Sequence, residues 1–475
     1  MNIRITQKDY DAMRRTLRHS FSGDPQADEA GCLLLVGANR HLLRPTLLVR
    51  EVLVPGEGDL TYAGPGHIVY APGFLRRAML RARELGLAGF LTVHTHPLSG
   101  DRVSFSPYDN SEDPGLMSNL YDQQPGGVFG SIVVGAAAMQ GRIWDRVRGE
   151  WVWLDQLVVV GDSLRFVSLS CEPEPDAPIA AEIFDRSLAV TGAGALARVT
   201  KMRIAVVGAS GNGGLAIEAL HRAGAGEILI FEFDCFDVSN LGRVLHSRLS
   251  DAETKRPKAD RFKEVVEEAS LGTQVKVIEK GDVTHAEVAV QLAGVDVIVG
   301  CVDNSHWARL VMSEVSYQYL IPYIDVGTEI GLGDDTVQSL DTRVSYSTAD
   351  RVCLICSGIV DLEQVRIEGL ADEERARVLA MGYTDDGRIR APAVMDLNMI
   401  AVGQAMLVLR HLLQPFLDMP IPTHIKSAVT VYSTRRVEFV SKAACPVCGV
   451  HGRKAAGDGR RLTTRPVRVA AKSLG

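Results

Sequence analysis

Residues 203–243, RIAVVGASGNGGLAIEALHRAGAGEILIFEFDCFDVSNLGR, constrain the fold more than any other stretch of the chain. An apolar run at 204–207 enters a turn carrying Gly208, Gly211, Gly213 and Gly214, an amphipathic stretch follows, and a second apolar run at 228–231 ends at Glu232. That order reads as strand, turn, helix, strand. Glycines let the backbone approach phosphates, a helix N-terminus offers unpaired N–H groups with partial positive charge, and an acid closing the second strand can accept a ribose hydroxyl. A nucleotide site is the expectation, and on these features alone a dinucleotide oxidoreductase is one candidate.

Two details point to a different nucleotide. Ser210 occupies the second fixed position, where the dinucleotide fingerprint has glycine. The polar run Asp234, Ser239, Asn240 and Arg243 has no use in binding nicotinamide, but carboxylate, amide and guanidinium together can hold a triphosphate and its magnesium. With EFD at 232–234 and SNLGR at 239–243, the segment resembles the ThiF/MoeB/ubiquitin-activating superfamily, whose pattern is a Gly-rich turn, D-x-D, then S-N-L-x-R.

The resemblance extends along the chain and implies ATP and Mg²⁺. Upstream, FDRSLAVTGAGALARVTK places Arg186 where that family has an arginine reaching into the neighbouring protomer's ATP site, which implies a homodimer; the alternative is an exposed helical arginine. Downstream, Lys258 stands where the family has a lysine opening a helix, with Lys255 less well placed. The buried-strand run 295–302 ends in CVDNSHWAR, similar to the family's C-x-D-N-x-x-x-R. Asp303 would then hold magnesium between the phosphates, while Arg309 is expected to pack locally on a helix. Gly208, Gly211, Gly213, Glu232, Asp234, Asn240, Arg243, Lys258 and Asp303 form the implied nucleotide site, with Arg186, Arg243, Lys258 and Asp303 in catalytic roles.

At 475 residues the chain has room for two or three domains. A formal charge of −7 and a pI near 6.0 give no polyanion-binding signature, so nucleic acid is not an expected partner. No signal peptide and no apolar run of about eighteen residues is evident, and eight cysteines in this length do not make a secreted scaffold. A cytoplasmic protein with no membrane association is the expectation.

Residues 1–171 read as one α+β domain. Helical spacing is expected at 10–21 and 73–86, and strands at 32–36, 46–54, 89–93, 130–137 and 151–160. Within it, His94 and His96 are two apart at the end of an apolar run, so on a strand both imidazoles face one side and can ligate one metal, with Asp109 following from the next loop. Two histidines and one carboxylate leave a fourth position for water, the arrangement of a catalytic zinc. Ser106 is a candidate oxyanion donor.

This loop, VHTHPLSGDRVSFSPYDNSED, resembles the JAMM signature of the JAB/MPN zinc isopeptidases, H-x-H-P followed by Ser-x-x-Asp with an upstream catalytic glutamate. The resemblance implies Glu29, before the strand run that ends at Gly37, as the group that takes a proton from zinc-bound water; Glu51 is the reserve. An inactive scaffold of the same fold is the alternative.

EPEPDAP at 172–178 alternates proline and acid and reads as a linker, placed at 172–181, before an adenylation domain at 182–452. Cys353-x-x-Cys356 and Cys445-x-x-Cys448 read as a four-cysteine structural zinc site, with a redox pair as rival. Cys32, Cys171, Cys235 and Cys301 are expected to be packed or incidental. The stretch 361–391 is charged and loop-rich, 391–413 is helical, and 453–475 is expected to be a basic flexible tail. No cysteine occurs between Cys356 and Cys445, where many relatives carry a thioester cysteine.

The expected architecture is α/β: a JAB/MPN-like domain fused to a Rossmann-like, mostly parallel ThiF-type domain. Its implied partner is a ubiquitin-like β-grasp protein ending in glycine, activated by ATP and trimmed or removed by the zinc site, with a separate conjugating enzyme. Analogy with operons that join such domains places it in a bacterial, antiviral conjugation pathway. Sulfur-carrier activation and a non-catalytic scaffold are the alternatives.

Overall fold

The computed structural model describes residues 1–22, 24, 26–169, 181–303, 305–333, 336–380 and 392–465. It divides into two compact units. One comprises Met1–Asp176, Gln318–Leu320 and Arg453–Arg461; the other comprises Ala177–Tyr317, Ile321–Gly452 and Leu462–Gly475.

The first unit is built on strands β1 (Asn2–Thr6), β2 (Gly31–Asn39), β3 (Thr46–Leu53), β4 (Leu60–Gly64), β5 (His67–Tyr70), β6 (Gly89–Thr95), β7 (Val128–Val134), β8 (Met139–Asp145), β9 (Glu150–Trp153), β10 (Gln156–Val160) and β11 (Leu164–Ser168). Nine of them form one sheet in the order β11-β10-β1-β3-β2-β6-β7-β8-β9, and β4 and β5 make a separate ribbon. Helices α1 (Gln7–Leu17), α2 (Pro72–Glu84) and α3 (Pro107–Gln123) cover the sheet. Strand β2 shows why CLLLV is a continuous apolar run. Cys32, Leu34 and Val36 pack with Met13 and Leu17 of α1, whereas Leu33 and Leu35 pack with Phe74, Ala78 and Met117 of α2 and α3. A strand covered on both faces loses its alternation of apolar and polar residues.

Two expectations for this unit need correction. The run 151–160 is two strands rather than one: β9 ends at Trp153, β10 starts at Gln156, and they stand near opposite ends of the sheet order. Leu154, fully buried, and the polar pair Asp155-Gln156 stand at the break, which two polar residues inside an otherwise apolar run were too short a signal to reveal. The tail from Arg453 is packed over its described part. Arg453 is buried and its guanidinium donates to Gln318 Oε1 and the Arg461 carbonyl. Ala455 lies so close to Gly37 that a Cβ there would stand 2.1 Å from its carbonyl oxygen. Residues 466–475 lie outside the described residues.

The second unit carries β12 (Arg203–Val207), β13 (Glu227–Phe231), β14 (Gln274–Val277), β15 (Val297–Gly300), β16 (Tyr323–Gly333), β17 (Thr336–Ser347), β18 (His424–Ala428) and β19 (Ser433–Val437). They form one sheet, β14-β13-β12-β15-β16-β17-β18-β19, whose first five members run parallel and whose last three continue antiparallel. The helices are α4 (Ala181–Val199, broken at Gly192), α5 (Gly211–Arg222), α6 (Leu249–Glu253), α7 (Lys258–Ala269), α8 (Ala286–Ala289), α9 (His306–Gln318), α10 (Leu362–Glu368), α11 (Asp372–Ala380) and α12 (Met395–Leu413). The stretch expected to be loop-rich from 361 thus contains α10 and α11. The expected linker falls almost wholly at 170–180, outside the described residues.

The chain winds outward from β12 to β14, then returns to place β15 on the other side of β12. That reversal makes a switch point between β12 and β15, and in open parallel sheets ligands bind in the crevice beyond it. Among the described residues no helix is long and apolar enough to cross a membrane.

Candidate functional site

The loops leaving β12, β13 and β15 surround a cavity of about 990 Å³ lined by Gly208, Ser210, Glu232, Asp234, Asp303 and Arg309 among others. Its volume suits a nucleotide. Gly208, at φ +88°, has a conformation that disfavours a side chain, and Gly213 lies so close to it that a Cβ would stand 1.7 Å from its carbonyl oxygen. That contact lets the turn close directly onto α5, whose N-terminal N–H groups open toward the crevice. Arg243 Nη1 reaches Ser210 Oγ at 3.4 Å, so the guanidinium joins the same turn.

Glu232 is already engaged: its carboxylate accepts from Ala209 N at 2.7 Å and from Phe233 N and Asp234 N at 2.9 Å each. Burial raises its pKa despite these donors. It therefore ties the turn after β12 to the one after β13, with remaining lone pairs for a ribose. Lys258 opens α7, where a cation opposes the helix dipole, yet it is buried; Asp234 Oδ2, 3.2 Å from its Nζ, supplies the counter-charge. Asp303 projects from the end of β15, and its carboxylate makes no hydrogen bond or ion pair among the described residues. It is the uncommitted acid of the cavity.

Other predicted residues have different surroundings. Asn240 is buried and its Oδ1 accepts from Asp237 N at 2.9 Å, closing a capping box rather than lining the cavity. Arg186 is exposed on α4. Arg309 packs locally as expected, donating to Val302 O and Asp325 Oδ1. Asp325 escaped the sequence reading: fully buried on β16, it also accepts from Arg343 and Tyr323. Glu368 was missed as well. From α10 its carboxylate accepts from Ser305 Oγ, His306 N and Trp307 N, capping α9 next to Asp303.

Cys353, Cys356, Cys445 and Cys448 converge with all four Sγ atoms within 4.8 Å of one another, and the closest pairs are 3.4 and 3.5 Å apart. Tetrahedral Zn–S bonds of about 2.3 Å place sulfurs about 3.8 Å apart, so the set fits zinc. Cys32 and Cys301 are buried, Cys235 is exposed, and Cys171 lies outside the described residues.

In the first unit, Glu29, His94, His96 and Asp109 come together. Pairing of β2 with β6 sets Gly31 opposite His94, which brings the residues before β2 to the histidine end of β6. The separations are uniform: His94 Nε2 to His96 Nε2 3.3 Å, His94 Nε2 to Asp109 Oδ1 3.2 Å, His96 Nε2 to Asp109 Oδ2 3.3 Å. Metal–nitrogen bonds of about 2.0–2.1 Å in a tetrahedron require ligand spacings of about 3.3 Å, so the two imidazole nitrogens are spaced for one zinc, with one Asp109 oxygen facing each of them.

Glu29 Oε lies within 4.8 Å of both ligand nitrogens, and desolvation pushes its pKa up to about 7. Asp109 is held low: burial works against ionisation, but hydrogen bonds from His94, His96 and Ser106 outweigh it. Ser106 serves as the N-cap of α3, its Oγ donating to Asp109 Oδ2 at 2.8 Å and accepting from Asp109 N at 3.1 Å. In this geometry it aims the acid. Glu51 instead pairs with Arg81.

The ThiF family model matches residues 184–442. The chain is similar to ubiquitin-like modifier-activating enzyme 5 of Oryza sativa subsp. japonica, with 27% identity over 186 residues covering 36% of this chain and 43% of that protein. It is also similar to the SAMP-activating enzyme E1 of Haloferax volcanii, 34% over 108 residues, 22% of this chain and 38% of that protein. A third similarity is to tRNA threonylcarbamoyladenosine dehydratase of Bacillus subtilis, 35% over 95 residues, 20% and 36%. The chain spans less than half the length of these curated relatives. Among solved structures it is similar to E. coli MccB with ATP, at a TM-score of 0.45 and 15% identity over 58% of this chain and 76% of that one.

Proposed function

The chain belongs to the ThiF family, and from that premise we propose that it adenylates the C-terminal glycine of a ubiquitin-like protein and carries a zinc-dependent (iso)peptidase acting on the same modifier. The observation that carries the first half is the single cavity where Gly208, Glu232, Asp234 and Asp303 meet at the switch point of a parallel sheet. The relatives named ubiquitin-like modifier-activating enzyme 5 and SAMP-activating enzyme E1 support the same reading.

In the reaction a carboxylate oxygen of the modifier attacks the α-phosphorus of ATP, the α–β anhydride bond breaks, and pyrophosphate leaves. Two anions must meet, so the chain's task is positioning and charge neutralisation. Magnesium, when bound, would screen the phosphates. Asp303 would hold it, the N-terminus of α5 and Arg243 would receive phosphate oxygens, and Lys258 would exchange part of its contact with Asp234 for the nucleotide. Arg186, exposed on α4, would serve a neighbouring protomer's site in a homodimer. With no cysteine between Cys356 and Cys445, the activated glycine would pass to a separate conjugating enzyme, as in bacterial antiviral conjugation, or to a sulfur donor.

The peptidase half is supported by the metal geometry of His94, His96 and Asp109. Zinc there would polarise the scissile carbonyl and the attacking water. Glu29 would take a proton from the attacking water as its oxygen adds to the scissile carbonyl carbon, and would pass that proton to the amine as the C–N bond after the modifier's terminal glycine breaks, with Asp109 aimed by Ser106.

The rival oxidoreductase reading is tested by thermal unfolding with nucleotides. ATP with Mg²⁺ at a hundred times its Kd stabilises the folded state by about 2.7 kcal/mol and raises the midpoint measurably, while NAD leaves it unchanged. Stabilisation by NAD and not by ATP would overturn the proposal.

A further inference from the structure

One buried cation in the first unit has no part in the chemistry so far. Arg142, on β8, is 1% exposed, and its guanidinium lies between the rings of Phe105 and Trp151, 3.7 and 4.0 Å from their centroids. Burying an arginine is costly unless every donor is used productively. Here the donors converge on the start of α3: Nη2 on the Asp109 carbonyl at 3.2 Å and on Asp113 Oδ2 at 2.7 Å, Nη1 on Asn110 Oδ1 at 2.5 Å. Nε adds a long contact to Ser131 Oγ, which itself donates to Asp113 Oδ2.

The helix start gripped in this way is the one that presents Asp109 to His94 and His96. The Ser106–Asp109 capping box fixes the acid relative to its own helix, and Met117 and Leu120 pack that helix against the sheet two to three turns further on. Arg142 ties the helix to β7 and β8, and β7 pairs with the histidine strand β6. The flanking Phe105 immediately precedes the cap, so the aromatic contact fixes the loop as well. A metal ligand displaced by a fraction of an ångström loses affinity, and groups that orient ligands typically contribute 10–100-fold.

From this we infer that Arg142 is a positioning residue for the metal centre: it sets where Asp109 stands relative to the two histidines, and with it the affinity of the site for zinc. The inference rests on the reading of His94, His96 and Asp109 as metal ligands.

The test is zinc affinity of the full-length protein by chelator competition, with His94→Ala defining the protein that lacks this site and retains the four cysteines. Arg142→Lys keeps the charge but loses the planar fork, and Asp113→Asn weakens the grip from the other side. Both variants are expected to bind the zinc that His94→Ala lacks about 10–100-fold more weakly than wild type while unfolding cooperatively. Should Arg142→Lys fail to fold, Asp113→Asn decides. Wild-type affinity in a folded variant overturns the positioning role. A wild-type protein that holds no more zinc than His94→Ala overturns the metal reading itself.

Discussion

Asp303→Ala is expected to lower pyrophosphate exchange into ATP by roughly 10²–10³-fold while leaving zinc content unchanged. The size follows from the chemistry of the step, in which a carboxylate approaches a polyanion and nearly all the acceleration must come from charges already in place. Glu232 is engaged by three backbone N–H groups, and Asp234 faces Lys258. Among the described residues the Asp303 carboxylate makes no hydrogen bond or ion pair, and its charge acts on the neighbouring Arg309 without a direct contact, so removing it breaks no bond seen to hold the turn together. The defect should therefore appear in turnover with little change in thermal stability. Exchange within a few-fold of wild type would remove Asp303 from the mechanism.

The second large effect is on the other unit. His94→Ala and His96→Ala are each expected to reduce cleavage after the terminal glycine of a modifier fusion to background, a loss of at least about 10³-fold, because a site with one histidine and one carboxylate no longer holds zinc in a form that activates water. Glu29→Gln should give a comparable loss with zinc retained, since it removes the proton carrier and not a ligand. Pyrophosphate exchange by all three should match wild type. Full cleavage by His94→Ala, or by protein stripped of zinc, would show that the cluster is not the peptidase centre.

How far the sequence reveals this molecule depends on how local each feature is. The turn at 208–214 was legible because one backbone geometry demands glycine at several fixed positions within seven residues, and the structure shows the contacts that demand it. The pair His94 and His96 was legible because a strand places alternate residues on one face. The four cysteines converge although nearly ninety residues separate the pairs, and there the residue type itself was the signal.

The features missed are those that depend on partners distant in sequence. Strand β1 is five residues, NIRIT, whose polar–apolar alternation is too short to stand out by itself, yet it lies parallel between β3 and β10. The break after Trp153 is marked only by Asp155-Gln156, and two polar residues within an apolar run do not show that the chain leaves for the far side of the sheet. Arg453 looked like part of a solvated basic tail because nothing local reveals that Gln318 accepts its guanidinium. Arg142, Asp325 and Glu368 likewise carry no motif: each is a single charged residue whose meaning comes from what the tertiary fold sets around it.

The central claim is that one cavity activates a glycine carboxylate with ATP, and the most direct measurement is pyrophosphate exchange by the wild-type protein with a panel of small β-grasp proteins ending in glycine. The account predicts exchange that requires one such protein, and that disappears when its terminal glycine is deleted or amidated. Protein that binds ATP and zinc but exchanges no pyrophosphate with any member of the panel would contradict it, leaving two folds that bind without catalysing.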